Sequence, residues 1–320
     1  MNKFNKFLLS AALCTLPAAA PQVALATGVN IGGKYESYEF RNVGPTRGGR
    51  VTAVAGTVDE IATFYLGASG GGLWKTDDYG TTWNNVSDGY FATPSIGDIA
   101  VAQNDANIVY VGTGSDGLRS NVIAGKGAYK SMDGGKTWTH IGLDNTGQIG
   151  AVEIDPRSND TVYVAAIGSA FSPNEDRGLY KTTDGGATWE KVLYISDSVG
   201  IVDVEFHPSN PNIVYASAWK ADRKPWTIIS GGEMSQDEGG IYKSIDAGKT
   251  WKKINNGLPT GLVGKIDLAT TAANSSVLGA LVEAPNPEGG LYWSVDMGET
   301  WTHVSNDKGI QNRPDRKSVV

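Results

Sequence analysis

The sequence predicts an all-β protein, a β-propeller of four-stranded antiparallel blades with about five blades present in an incomplete ring. Three observations carry this reading. A turn motif, Ser/Thr-x-Asp-x-Gly-x-Thr-Trp, occurs five times; the tryptophans that end it lie 55, 51, 62 and 50 residues apart; and glycine, at 42 residues, separates short aromatic and aliphatic stretches.

The five copies are Thr76, Asp78, Gly80, Trp83; Ser131, Asp133, Gly135, Trp138; Thr182, Asp184, Gly186, Trp189; Ser244, Asp246, Gly248, Trp251; and Ser294, Asp296, Gly298, Trp301. In such a turn the Asp carboxylate accepts backbone N–H bonds, the Gly supplies a positive φ and the hydroxyl ties the strand end. The Trp is expected to pack beneath the turn as a wedge between blades, since burying it removes roughly 150–250 Å² from water.

A Gly-x-aromatic-Lys strand runs into each turn, as in Leu73-Trp74-Lys75, Ala128-Tyr129-Lys130, Leu179-Tyr180-Lys181 and Ile241-Tyr242-Lys243, with Trp293 replacing the lysine in the fifth copy. Upstream of it lie an alternating strand, a turn and an apolar strand, as in Val152 to Ile154, Asp155-Pro156, and Val162 to Ala165. Each unit therefore holds four strands, and no unit can bury both faces alone.

Residues 1–26 read as an export leader: Lys3 and Lys6, an apolar run from Phe7 to Leu16, and Ala24-Leu25-Ala26 as the cleavage site. The run is too short for a membrane span. Cleavage would remove Cys14, the one cysteine, and two lysines, taking the formal charge from −7 to −9. That excludes disulfides and thiol chemistry from the mature chain and argues against nucleic acid or anionic membrane as partner. The expected location is the periplasm or the cell exterior.

Several motifs lack the context their chemistry needs. Gly67-Ala68-Ser69-Gly70-Gly71 matches a nucleophile elbow, but a strand follows it and not a helix. Gly112 to Gly117 matches a dinucleotide fingerprint, yet a glycine-broken loop follows. His140, His207 and His303 are widely separated, and the repeat aspartates lack the spaced acids of a calcium loop, so no metal or cofactor is expected.

Binding is expected on the loops between second and third strands and on the connections between units, which share one end of the blades. Arg47, Arg50, Arg119, Asn121, Asn174, Glu175, Asp176, Arg177, Arg223 and Trp226 fall there. Arginines with a few aromatics on an acidic protein suit a carboxylate-bearing peptide or glycan.

The turn motif resembles the BNR or Asp-box repeat of sialidases, xyloglucanase-type glycoside hydrolases and the sortilin/Vps10 propeller. Arg41 to Pro45, Arg47 to Arg50 and Tyr215 to Trp219 look most like exported bacterial sortilin-N-terminal-like proteins, often labelled glycosyl hydrolases with WD40/YVTN/BNR-like repeats. The resemblance implies a non-catalytic recognition module for peptides, proteins or glycans. The alternatives are a glycoside hydrolase, xyloglucanase-like or sialidase-like, with part of its site in missing sequence, and a periplasmic scaffold. Xyloglucanase-like enzymes carry a catalytic Asp in the segment matching Gly67 to Trp74, where this chain has Ser69. Serine cannot act as either member of a glycosidase carboxyl pair.

Residues 27–312 are thus expected to form a partial propeller. Tyr38 to Val43 reads as a fourth strand ahead of the first complete unit, Asp315 to Val320 as a non-native tail, and further blades of the parent chain as partners. The first test is export: N-terminal sequencing of the secreted protein is expected to begin at Thr27, and material retaining Met1 would overturn the leader.

Overall fold

The computed structural model describes residues 50–117, 122–222 and 231–311. The leader, Tyr38 to Val43, the terminal tail, Arg47, Arg119, Asn121, Arg223 and Trp226 lie outside them. Five four-stranded antiparallel sheets follow one another along the chain, the blades of a propeller. Blade 1 holds β1 (Val51–Gly56), β2 (Phe64–Ala68), β3 (Leu73–Thr76) and β4 (Asn84–Asn85). Blade 2 holds β5 (Ile96–Val101), β6 (Val109–Thr113), β7 (Ala128–Ser131) and β8 (Thr139–His140). Blade 3 holds β9 (Ile149–Ile154), β10 (Val162–Ala166), β11 (Gly178–Thr182) and β12 (Glu190–Leu193).

Blade 4 is β13 (Gly200–Phe206), β14 (Val214–Trp219), β16 (Gly239–Ser244) and β17 (Lys252–Lys253). Within its long second loop β15 (Gly232–Glu233) pairs with β18 (Leu262–Val263) from the connection to the next blade. Blade 5 is β19 (Ile266–Thr270), β20 (Leu278–Val282), β21 (Gly290–Ser294) and β22 (Thr302–Ser305).

The core lies between blades, not within them. One apolar cluster spans blades 1 and 2, a second blades 2 and 3, a third blades 3 and 4, and a fourth blades 4 and 5. Each buries the innermost strand of one blade against the face of the one before. The cross-strand register makes Val51, Ile96, Ile149, Ile201 and Ile266 equivalent, and likewise Val54, Ile99, Val152, Val204 and Leu268. The four isoleucines are 0 % exposed and Val51 is 51 %; Val54 is 66 % exposed, while its four counterparts stay at 7 % or less. Contacts run from each blade to the next, with none comparable joining blades 5 and 1 among the described residues, so the ring is open there.

Close approach at these junctions demands glycine at two inner-strand positions. A Cβ on Gly97 would lie 2.0 Å from the Ile149 carbonyl oxygen, and one on Gly150 2.1 Å from that of Val202.

The recurrent lysine of the third strand fastens blades together. It faces a tyrosine of the second strand across the sheet: Tyr65 with Lys75, Tyr110 with Lys130, Tyr163 with Lys181, Tyr215 with Lys243. Each ammonium lies over its ring, at 5.7, 5.1, 5.2 and 6.0 Å from the centroid. The pair then grips the turn region of the following blade. Tyr65 donates to Gly134 O at 2.9 Å, Tyr110 to Asn159 O at 2.8 Å, Tyr163 to Ala247 O at 2.7 Å and Tyr215 to Met297 O at 3.4 Å. Lys181 and Lys243 reach the same carbonyls at 2.9 Å, Lys130 pairs with Asp160 at 3.1 Å, and Lys75 turns back to Asp77 of its own blade.

The turn tryptophans divide. Trp138, Trp189 and Trp301 are wedges of the expected kind, their indole N–H groups donating to Val86, Ile141 and Ile254 carbonyls of the preceding blade. Trp83 and Trp251 donate instead to Gly80 and Gly248 of their own turns, both at 3.1 Å. Trp83 has no preceding blade among the described residues.

The exposure contrast makes a direct test. Val204→Asp is expected to destabilise by about 4 kcal/mol or more, because it buries an unpaired charge at a junction. Val54→Asp, at the equivalent position, should stay within about 0.5 kcal/mol. Denaturant midpoints of the two variants read the difference, and equal losses would contradict the junction assignment.

Candidate functional site

The two ends of the blades differ in chemistry. At one end lie the five turns together with the loops joining first and second strands. In every turn the Asp accepts from the preceding Ser or Thr hydroxyl and from both the amide and hydroxyl of the following Thr. For Asp133 these distances are 2.8, 2.8 and 2.6 Å, and for Asp184 they are 2.7, 2.9 and 2.6 Å. Asp78, Asp246 and Asp296 repeat the pattern. The Thr hydroxyl bond and the Thr amide bond hold the carboxyls of Asp133, Asp184, Asp246 and Asp296 down at about 2. Asp78 is lowered too, chiefly by the Thr82 amide. A carboxylate with both oxygens engaged locally, and so acidic, is a poor proton donor to a substrate.

At the opposite end, the loops after second strands and the connections into first strands meet. The loop leaving β6 reaches far. Val122 packs on a cluster of Ile167, Ala170, Val202, Trp219 and Ala221 from blades 3 and 4. Ala124 O accepts from Thr93 at 3.0 Å, and Asp116 pairs with Lys265, which immediately precedes β19, at 2.7 Å. The Lys265 ammonium is also 3.0 Å from Asp267, and the three side chains are 5, 8 and 12 % exposed for Lys265, Asp116 and Asp267. Two carboxylates thus flank one buried ammonium where blades 2 and 5 come together. A carboxylate paired in this way serves the fold as a tie across the ring.

The described candidates at this end occupy different depths. Arg50 is exposed beside the turn after β2, where Ser69 N donates to Arg50 O at 2.8 Å. Ser69 is half-buried and runs through three glycines into β3, so no helix follows it. Glu175 is exposed, and its backbone carbonyl accepts from Lys191. Arg177 is not on the rim: it is 2 % exposed, and its Nη2 donates to the carbonyls of Ser169, Ser172 and Ala221 at 2.6, 3.4 and 3.0 Å. Burial pushes its pKa down, with Asp197 and Asp222 opposing. It holds the loop of blade 3 to the end of blade 4. Its Nε and Nη1 are buried without hydrogen-bond partners, as are Asn174 Oδ1 and Gln148 Oε1.

The chain pattern gave no sign of the ties made by Asp116, Lys265 and Asp267. Asp116 sits in a glycine-rich loop and Lys265 lies 149 residues away. The only sequence signal was Lys265 and Asp267 placed at the start of an apolar strand. Among the described residues no group of three or more His, Cys, Asp or Glu side chains is arranged to hold a metal ion, and no helix is long and apolar enough to cross a membrane.

Comparison with known proteins gives a consistent picture. A family model, Sortilin-Vps10 ("Sortilin, neurotensin receptor 3"), matches residues 71–194 and 126–258, together more than half of the chain. A "Probable oligoxyloglucan-reducing end-specific xyloglucanase" of Neosartorya fischeri is 27 % identical over 234 residues, 68 % of this chain and 25 % of that protein. A xyloglucanase of Acetivibrio thermocellus is 27 % identical over 244 residues, 68 % of this chain and 27 % of its own length. The chain spans about a quarter of the length of these curated relatives. Among solved structures, the Niastella koreensis GH74 enzyme superimposes with a TM-score of 0.57 at 23 % identity, covering 79 % of this chain and 38 % of that one. An ancestral GH74 enzyme gives 0.58 at 19 % identity, covering 83 % and 32 %. These two show the propeller fold.

The turn carboxylates set an acid limit. Their pKa values are lowered from 3.8 to about 2, so the stability they contribute is complete above pH 3.8 and is lost as pH falls toward 2. Melting temperature is expected to fall steeply across that window, and less steeply in an Asp184→Asn variant. Identical pH profiles for the variant and the parent would contradict the role given to Asp184.

Proposed function

The chain belongs to the Sortilin-Vps10 family, and on that premise we propose that it is the propeller portion of an exported, glycan-directed protein of the xyloglucanase kind. Its loop end holds a branched β-glucan chain, and its acid and base are not both supplied by these five blades. The observation that carries this is the likeness to two xyloglucanases, each 27 % identical over 68 % of the chain. A likeness spread over so many residues reaches beyond the turn motif alone.

The chemistry of the loop end supports the second half of the reading. Ordinary glycoside hydrolysis needs two opposed carboxyls, one able to stay protonated. Here Ser69 stands at the position where the resemblance places an Asp. At the loop end, Asp116 and Asp267 share the ammonium of Lys265 and have little solvent access. Recognition without hydrolysis is the second reading, and Ser69 is the observation that favours it.

Affinity electrophoresis of the purified chain through gels containing xyloglucan, with cellulose derivatives and an unrelated polysaccharide alongside, is the test. Selective retardation by xyloglucan is expected. Reducing-sugar release by the intact gene product then separates the readings: hydrolysis supports a glycosidase, and retardation without release supports recognition. Equal mobility in all gels would remove the glycan assignment.

A further inference from the structure

We propose that the open face of blade 1 is the docking surface for a further blade of the same polypeptide, one carrying a facing Tyr and Lys on its second and third strands, and that blade 5 is therefore not the blade that closes onto blade 1.

Blade 1 presents every feature that an incoming blade buries at the four internal junctions. Val51 and Val54 occupy the positions filled elsewhere by Ile96, Ile149, Ile201 and Ile266 and by Ile99, Val152, Val204 and Leu268, yet are 51 and 66 % exposed. The first turn is also built for a grip. Tyr79 N donates to Ala62 O as Gly134 N, Gly185 N, Ala247 N and Met297 N donate to the matching loops of their blades. At Gly134, Ala247 and Met297 the carbonyl of that residue accepts a tyrosine hydroxyl from the preceding blade. No hydrogen bond reaches Tyr79 O among the described residues. On the pattern of these junctions, what docks on blade 1 brings an apolar sheet face for the two valines and a hydroxyl for Tyr79 O, joined at two of the junctions by the lysine ammonium.

Blade 5 lacks both donors. The register that pairs Tyr65 with Lys75, and each later tyrosine with its lysine, pairs Gly279 with Trp293 in blade 5. A Cβ on Gly279 would meet only Ala269, at 3.9 Å, and on that open face lies a concavity whose lining includes Asp267, Ala269, Leu281, Leu291 and Trp293. Blade 5 keeps a different junction device. Asp98 and Asp203 accept an amide from the next blade's inner strand, from Val152 at 2.9 Å and Leu268 at 2.7 Å. Asp267 is the equivalent residue in blade 5, and its Oδ1 accepts no hydrogen bond, the Lys265 ammonium lying 3.0 Å away but out of line. Blade 5 is thus prepared for an inner strand and not for the Tyr–Lys grip.

A blade is favoured over any other occupant by continuity: four successive junctions of the same design, all within one chain, end at these two faces. Relatives about four times as long as this chain have the length to supply further blades. A second copy fits poorly, since the face it would offer to blade 1 is its own blade 5.

The test inserts a copy of residues 146–199, which is blade 3 with its exit connection, between Gly49 and Arg50 of the full chain. Hydrogen exchange of the β1 amides is expected to slow by about tenfold or more. With Tyr163→Gly and Lys181→Trp in the added copy only, reproducing the pair of blade 5, the protection should be lost while exchange in blades 2–4 stays unchanged. Tyr163→Phe with Lys181→Met in the added copy keeps the packing and removes the donors, and it should lose most of the protection. Absence of protection from the unmodified insert, or equal protection from the Gly/Trp version, would overturn the proposal.

Discussion

Everything in this molecule depends on one contact, the seating of each blade's innermost strand on the face of the blade before it. A four-stranded blade has two apolar faces and no means of covering either by itself. Stacking blades around an axis covers both, and the core becomes a series of layers between sheets. Each isoleucine at the start of an inner strand contributes about 1.5–3 kcal/mol by its burial. The glycines beside them exist because two backbones come within van der Waals distance at the same place.

Polar chemistry is then sorted by the strand path. Turns after third strands return to one end, where the aspartates saturate themselves with local donors and the Tyr–Lys pairs lock one blade's turn to its neighbour. Loops after second strands return to the other, where length varies and long-range ties become possible. The loop after β6 uses that freedom to lean on blades 3 and 4 and to reach Lys265 of blade 5.

The blade plan was legible because each blade repeats the same local problem. Ser131, Asp133, Gly135 and Trp138 solve a turn within eight residues, and the alternation around Val162 to Ala165 declares a strand whatever its neighbours are. The loop end was not legible. Arg177 looked like a rim arginine because its neighbours Asn174, Glu175 and Asp176 are polar, but a short loop over Ala170 and Ala221 turns its guanidinium inward onto three carbonyls. The lysine of each Gly-x-aromatic-Lys strand was seen as a repeat, with no reason for it until the next blade's turn appeared beside it.

By itself the sequence determined the strands, the turns, the number of blades present and the substitution of Ser69 for a carboxylate, because all of these are set by side chains within a few residues of one another or by the repeat itself. Tertiary structure alone decided which acids and bases meet: Asp116 with Lys265 across 149 residues, Tyr163 with the Ala247 carbonyl across 84. It also decided that Val51 and Val54, core residues by type, lie in the open. The physical reason is the same in each case. A blade's partners come from the curvature with which blades stack, and that curvature is a property of the packed faces together and is written in no single segment of the chain.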